Sequence, residues 1–229
     1  MSMEDYIAAR KEGIKQLHAL ESRGQDPYLP VLAELVPKLN QMAQVPLGLV
    51  QIGLDQIEGT ATKGRTTAFA RGFLPLLEQD SEFATKWSIL YDGIVEDGLR
   101  QPIVALEYYN RFYIVEGNKR VSVMRRLDAV NIEANVTRVL PEAEDSERYR
   151  VYQEFLSFYA DTKLNFIVFS REGSYERLYK LIGKTPGEKW TPEDLFDFQS
   201  CFYRFQQAYA ARLGGEIPMS ACDALLIYL

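Results

Sequence analysis

Residues 112–127 read FYIVEGNKRVSVMRRL, and no other part of the chain limits its fold so tightly. Residues 112–115 are aromatic and β-branched, the composition of a strand. Gly117 and Asn118 break that run, and Val121, Met124 and Leu127 follow at helical spacing. The stretch therefore predicts a strand, a tight turn and a helix, with Asn118, Lys119 and Arg120 in the opening turn. A helix start presents unpaired backbone N–H groups and the positive end of the macrodipole, which together favour an anion. Lysine and arginine oppose the dipole there, unless an anion sits between them and takes their charge-assisted hydrogen bonds. Gly117, Asn118, Lys119 and Arg120 are thus the expected contacts of a phosphate-bearing ligand. Two plainer readings stay open: a basic solvated helix face, and an Arg120 bonded to a buried acid or to backbone carbonyls.

Charge narrows the partners. The 229 residues carry a net charge of −6. This argues against a dedicated duplex-DNA surface, since phosphate neutralisation supplies most of that affinity. The charge is uneven, however. Residues 98–138 hold seven basic and four acidic side chains, so the rest of the chain is markedly acidic. A small anion held by an acidic protein fits that distribution. With 47% hydrophobic residues the chain can bury a sizeable core. No run is long and apolar enough to suggest a membrane span, and the first residues lack the pattern of a secretory signal. Cys201 and Cys222 share no metal or redox spacing and are expected as thiols in a reducing cytoplasm; no metal site is expected.

Two flanking stretches complete the central pattern. Residues 98–106, GLRQPIVAL, read as a helix-ending glycine and an X-Pro start to a buried strand; residues 134–140, ANVTRVL, read as another strand. With YIVEGNKRVSV between them, these motifs resemble the ParB/sulfiredoxin-like superfamily over residues 47–140. The resemblance implies an α+β fold: a small mixed sheet flanked by N-terminal and C-terminal helices. It also implies a glycine-x-x-arginine turn at the ligand site, with Gln101 close by. ParB proteins resemble glycine-glutamate-arginine-arginine at that turn, and sulfiredoxins glycine-cysteine-histidine-arginine. Asn118 stands at that variable position, so neither the cysteine chemistry nor the glutamate-dependent hydrolysis is expected to carry over.

The chain before the core predicts two helices. The first covers residues 3–23 and ends at Gly24; the second starts at Asp26-Pro27, runs to Met42 and kinks at Pro37. His18, the only histidine, reads as a surface or packing residue. Residues 47–52 read as the first core strand. Residues 58–72, EGTATKGRTTAFARG, lack aliphatic periodicity and hold four threonines with Lys63, Arg65 and Arg71. Such a loop can offer hydroxyls and cations to phosphates, and the resemblance sets Arg65 and Arg71 in an arginine-bearing segment that closes the ligand site. An exposed loop is the equal alternative. Ser81 then predicts a cap for a helix bearing Phe83, Trp87, Leu90 and Ile94 on its sheet-facing side.

After Pro141 and an acidic linker, residues 141–229 predict an aromatic-rich helical lobe. Residues 165–170, NFIVFS, suggest a short strand within it. Thr191-Pro192 opens a helix whose Leu195, Phe198, Phe202, Phe205 and Tyr209 keep helical spacing up to Gly214-Gly215. Aromatics on one helical face read as core rather than as a base-stacking platform. The final helix stops at Leu229 inside the apolar run ALLIYL, which suggests a longer parent polypeptide.

Domain limits follow as 1–46, 47–140 and 141–229. Three functions compete: a ParB-like module for a nucleotide or other phosphate-bearing ligand, a ParB-type DNA-binding regulator, and an ATP-dependent phosphotransferase or nuclease-like enzyme. The first is favoured, and whether the module catalyses a reaction stays open. The lobe shows no recognition helix, so DNA contact is expected only from sequence beyond Leu229. Catalysis would fall to Glu116 and Glu58, and the implied cofactor is a nucleoside triphosphate with magnesium.

Overall fold

The computed structural model describes residues 2–64, 66–213 and 219–229, the side chain of Leu213 excepted. Arg65 and the Gly214-Gly215 helix stop lie outside the described residues. The chain divides into two compact units, Met1–Glu142 and Ala143–Leu229.

The first unit is built on a mixed sheet of five strands in the order β1-β7-β5-β6-β2. These are β1 (Gln44–Gly53), β2 (Ile57–Thr60), β5 (Ile103–Tyr108), β6 (Arg111–Glu116) and β7 (Asn131–Val139). β1 and β7 are antiparallel, β7 and β5 parallel, β5 and β6 antiparallel, and β6 and β2 parallel. A small ladder of β3 (Phe69–Ala70) and β4 (Leu74–Pro75) lies apart from it. Tyr109 and Asn110, both at positive φ, close the β5–β6 hairpin. The architecture is α+β.

Alternation along the strands sorts the core. Ile52, Ile103, Ala105, Phe112, Ile114, Ile132, Ala134 and Val136 share a buried cluster with Tyr6, Phe83, Trp87 and Val121. Those last four come from α1 (Ser2–Glu21), α3 (Glu82–Asp97) and α4 (Asn118–Arg126), which pack together over the sheet. The Trp87 indole N–H donates to Ser122 Oγ at 2.9 Å, fixing α4 against α3. Tyr113 and Val139 form a second cluster with Leu32, Val36 and Leu39, from α2 (Leu32–Leu35) and the turns after it. As expected, Ser81 caps α3, its hydroxyl accepting from Ala84 N–H, and Gly98 at φ +76° ends it. Arg125 stitches the far end of α4, donating to the carbonyls of Leu54, Ile57 and Gly72 at 2.7–2.9 Å. Arg125→Lys keeps the charge but not the fork. It is expected to cost about 2 kcal/mol, on the scale of hydrogen bonds made by charged groups, read by urea unfolding.

Three expectations change. The helix from Asp26 to Met42 does not form. Pro27, Pro30 and Pro37 interrupt it, Asp26 Oδ1 accepts from Tyr28 N–H instead, and Tyr28 and Val31 bridge to Ala70 and Thr60. Residues 58–72 are not one irregular loop: they include most of β2 and all of β3, and Ala61, Thr66 and Ala68 are buried. β2 escapes pattern reading because Gly59 interrupts it. That glycine is required, since an added Cβ would lie 2.1 Å from Pro30 O. The third change falls in the second unit, where residues 165–170 form no strand; Ile167 and Phe169 are nonetheless buried in an irregular segment.

That unit holds α5 (Glu147–Thr162), α6 (Ser174–Ile182), α7 (Pro192–Leu213) and α8 (Ala221–Tyr228). Its core is aromatic. Phe158 meets Tyr175, Tyr179 and Trp190, and Trp190 meets Phe198 edge-on at 5.2 Å. Asp161 accepts from the Tyr179 hydroxyl and Gly187 N–H. Burial and that carboxylate both raise the Tyr179 pKa. Among the described residues, no helix is long and apolar enough to cross a membrane.

Candidate functional site

The parallel pairing of β2 with β6 brings their C-terminal ends to one edge of the sheet, where the start of β5 also lies. The Gly117 turn leaves this edge. Gly117 sits at φ +113°, and a Cβ there would lie 2.6 Å from Ile103 Cγ2. Only glycine lets the chain reverse so close to β5. Val121 N–H closes the first helical turn onto Gly117 O at 3.0 Å, and no side chain caps the start of α4.

Arg120 faces back under the turn. Its guanidinium donates to the carbonyls of Gln101, at 3.2 Å, and Pro102, and to Glu116 Oε1 at 2.9 Å. With its side chain only 15% exposed, Arg120 ties the turn to the strand start beside it. Lys119 Nζ stands 4.7 Å from the Phe83 ring centroid, a cation–π contact with α3. Asn118 Oδ1 is buried with no hydrogen-bond partner. A cleft of about 340 Å³ opens beside the turn, lined by Leu90, Ile94, Leu99, Gln101 and Arg120 among others.

The structure thus gathers Gln101 with Gly117, Asn118, Lys119 and Arg120. Glu116 joins them through its bond to Arg120, whereas Arg71 and Glu58 face each other. Arg71 lies 3.9 Å from Glu58, and Lys63 donates to Glu34 at 2.8 Å. Glu58 precedes Gly59, which pairs with Tyr113, whereas Glu116 lies at the end of β6. At roughly 3.3 Å per residue their backbone positions are about 13 Å apart along the strands. Among the described residues no cluster of histidine, cysteine or carboxylate side chains could hold a metal ion. Sequence reasoning missed Phe83 under Lys119 and the Pro102 carbonyl. The GLRQPIVAL motif marks a strand start but not the acceptor it offers to Arg120.

No family model and no curated protein matches the chain. Among solved structures, a sulfiredoxin from Arabidopsis thaliana matches at a TM-score of 0.28 and 20% identity, over 38% of this chain and 82% of that one. No residue role passes from that likeness to this chain.

Proposed function

We propose that the first unit is a ParB/sulfiredoxin-like module that holds a phosphate-bearing ligand at the start of α4. The observation that carries this reading is the Gly117 turn, packed on Ile103 at φ +113° and opening a helix with no side-chain cap. Backbone N–H groups at such a start are anion donors. Lys119, one residue into the helix, supplies a cation beside Phe83, and the Asn118 carboxamide lacks a partner at its Oδ1. Arg120 acts as the positioning residue, because its guanidinium already serves two carbonyls and Glu116. Gln101 borders the same edge. A nucleotide with magnesium is the ligand form that the superfamily resemblance implies.

Amide chemical shifts of the full chain, titrated with pyrophosphate and with ATP–magnesium, test the site. Saturable shifts are expected at Gly117, Asn118, Lys119 and Arg120. Lys119→Ala should weaken binding by about 1.5–3 kcal/mol, the scale of a charge-assisted hydrogen bond. Shifts that never saturate, or that avoid this turn, would remove the proposal.

A further inference from the structure

The second unit carries an unrelated constellation. On α7, Cys201, Arg204, Phe205, Ala208, Tyr209 and Arg212 recur at steps of three and four, so they share one face. With Tyr228 of α8 they line a cleft of about 610 Å³. Small-molecule sites commonly span roughly 300–1,000 Å³. Phe205 and Tyr209 stack with centroids 5.9 Å apart and planes 19° from parallel, and Tyr228 approaches Phe205 at 5.1 Å. Earlier on the helix, Phe198 and Phe202 are buried; Phe205 and Tyr209 are half-buried, and Tyr228 is 70% exposed. The aromatic stripe expected to be core throughout therefore leaves the core at Phe205 and becomes the wall of an open cleft.

The cations supply a second observation. Arg204 Nε donates to Ser200 O at 3.1 Å, and among the described residues neither Arg204 nor Arg212 meets a carboxylate. Some cations of the unit do: Arg150 pairs with Asp145 and Glu172, and Lys184 with Glu188 and Asp194. Arg212 lies in the last turn of α7, where the macrodipole alone favours a positive charge. Arg204 lies two turns earlier, where it does not. At ~1.5 Å rise per residue the two backbone positions are about 12 Å apart, bracketing the Phe205–Tyr209 stack. Aromatic rings and two arginines lining one cleft suit a flat aromatic body that bears an anionic group.

We propose that this cleft binds a small planar aromatic anion of nucleoside-monophosphate size. Its ring packs against Phe205, Tyr209 and Tyr228, and its anionic group pairs with Arg204 or Arg212. A single-stranded nucleic acid would draw on the same chemistry. Residues 143–229, however, carry thirteen acidic and ten basic side chains, and that surplus opposes a polyanion more than a single phosphate.

The test titrates the full chain with AMP, adenosine, ribose 5-phosphate and oligothymidylate, following amide shifts along α7 and α8. AMP is expected to saturate there, with adenosine and ribose 5-phosphate at least tenfold weaker. Arg204→Ala with Arg212→Ala should weaken AMP at least tenfold. Both side chains are exposed, so an unchanged melting temperature should accompany that loss. Lys119→Ala, in the other unit, should leave the α7 and α8 shifts intact, which separates this cleft from the proposed phosphate site. Three results would overturn the proposal: no AMP shifts on these helices, ribose 5-phosphate binding as well as AMP, or indifference to the double substitution. Displacement of AMP by oligothymidylate at lower concentration would assign the face to nucleic acid and overturn the small-ligand proposal.

Discussion

Gly117→Ala is expected to destabilise the first unit by about 2–5 kcal/mol, combining a positive-φ backbone penalty with overpacking. The clash is specific: the added Cβ would lie 2.6 Å from Ile103 Cγ2 and 3.1 Å from Ile103 Cβ. Ile103 is fully buried within the sheet and cannot swing clear. The turn must then open, carrying Arg120 off the Gln101 and Pro102 carbonyls. The chain has two tryptophans, Trp87 in the first unit and Trp190 in the second. In a Trp190→Phe background, Trp87 fluorescence reports the first unit alone. An unchanged urea midpoint for Gly117→Ala would show that the turn tolerates a side chain and that its tightness is not glycine-dependent. Favourable coupling with Ile103→Ala, which removes the clashing Cγ2, in a double-mutant cycle would locate the strain.

Glu107→Ala should cost the same unit about 3–5 kcal/mol, the usual result of removing one partner of a buried ion pair. Glu107 and Arg138 are 1% and 4% exposed and pair side chain to side chain across the parallel β5–β7 ladder. Glu107 also accepts from Asn110 N–H at 2.7 Å, so the same carboxylate holds the β5–β6 hairpin. Losing it removes a turn contact and the carboxylate that Arg138 pairs with. Against a typical domain stability of about 5–15 kcal/mol this is a large fraction. The double substitution Glu107→Leu with Arg138→Met should recover most of the loss, because two apolar side chains leave no buried charge. If the single variant unfolds at the wild-type urea concentration, the pair contributes nothing that water could not supply.

Much of the first unit was legible along the chain. β6, the Gly117 break and α4 followed from a β-branched run, a glycine and helical spacing, all local signals. Ser81 announced α3 because an N-cap is a contact between neighbours in sequence. The stretch from Asp26 was misread for the opposite reason. Its N-cap and proline signals are real, but the extended backbone found there is held by bridges from Tyr28 to Ala70 and from Val31 to Thr60, far along the chain. β2 was hidden in the same way: Gly59 spoils its pattern, and its pairing partner lies in β6.

The candidate site divides along the same line. The sequence alone determined that Gly117, Asn118, Lys119 and Arg120 open a helix behind a strand, since turn chemistry and periodicity are properties of adjacent residues. Only the tertiary structure decided what those residues face. Two cations in one helical turn look equivalent in sequence, yet Arg120 is spent on the Gln101 and Pro102 carbonyls while Lys119 lies over Phe83. Likewise the aromatic stripe of α7 follows one spacing throughout, and burial divides it at Phe205. Helical periodicity fixes which side chains share a face; what covers each part of that face depends on elements that meet it from elsewhere in the chain.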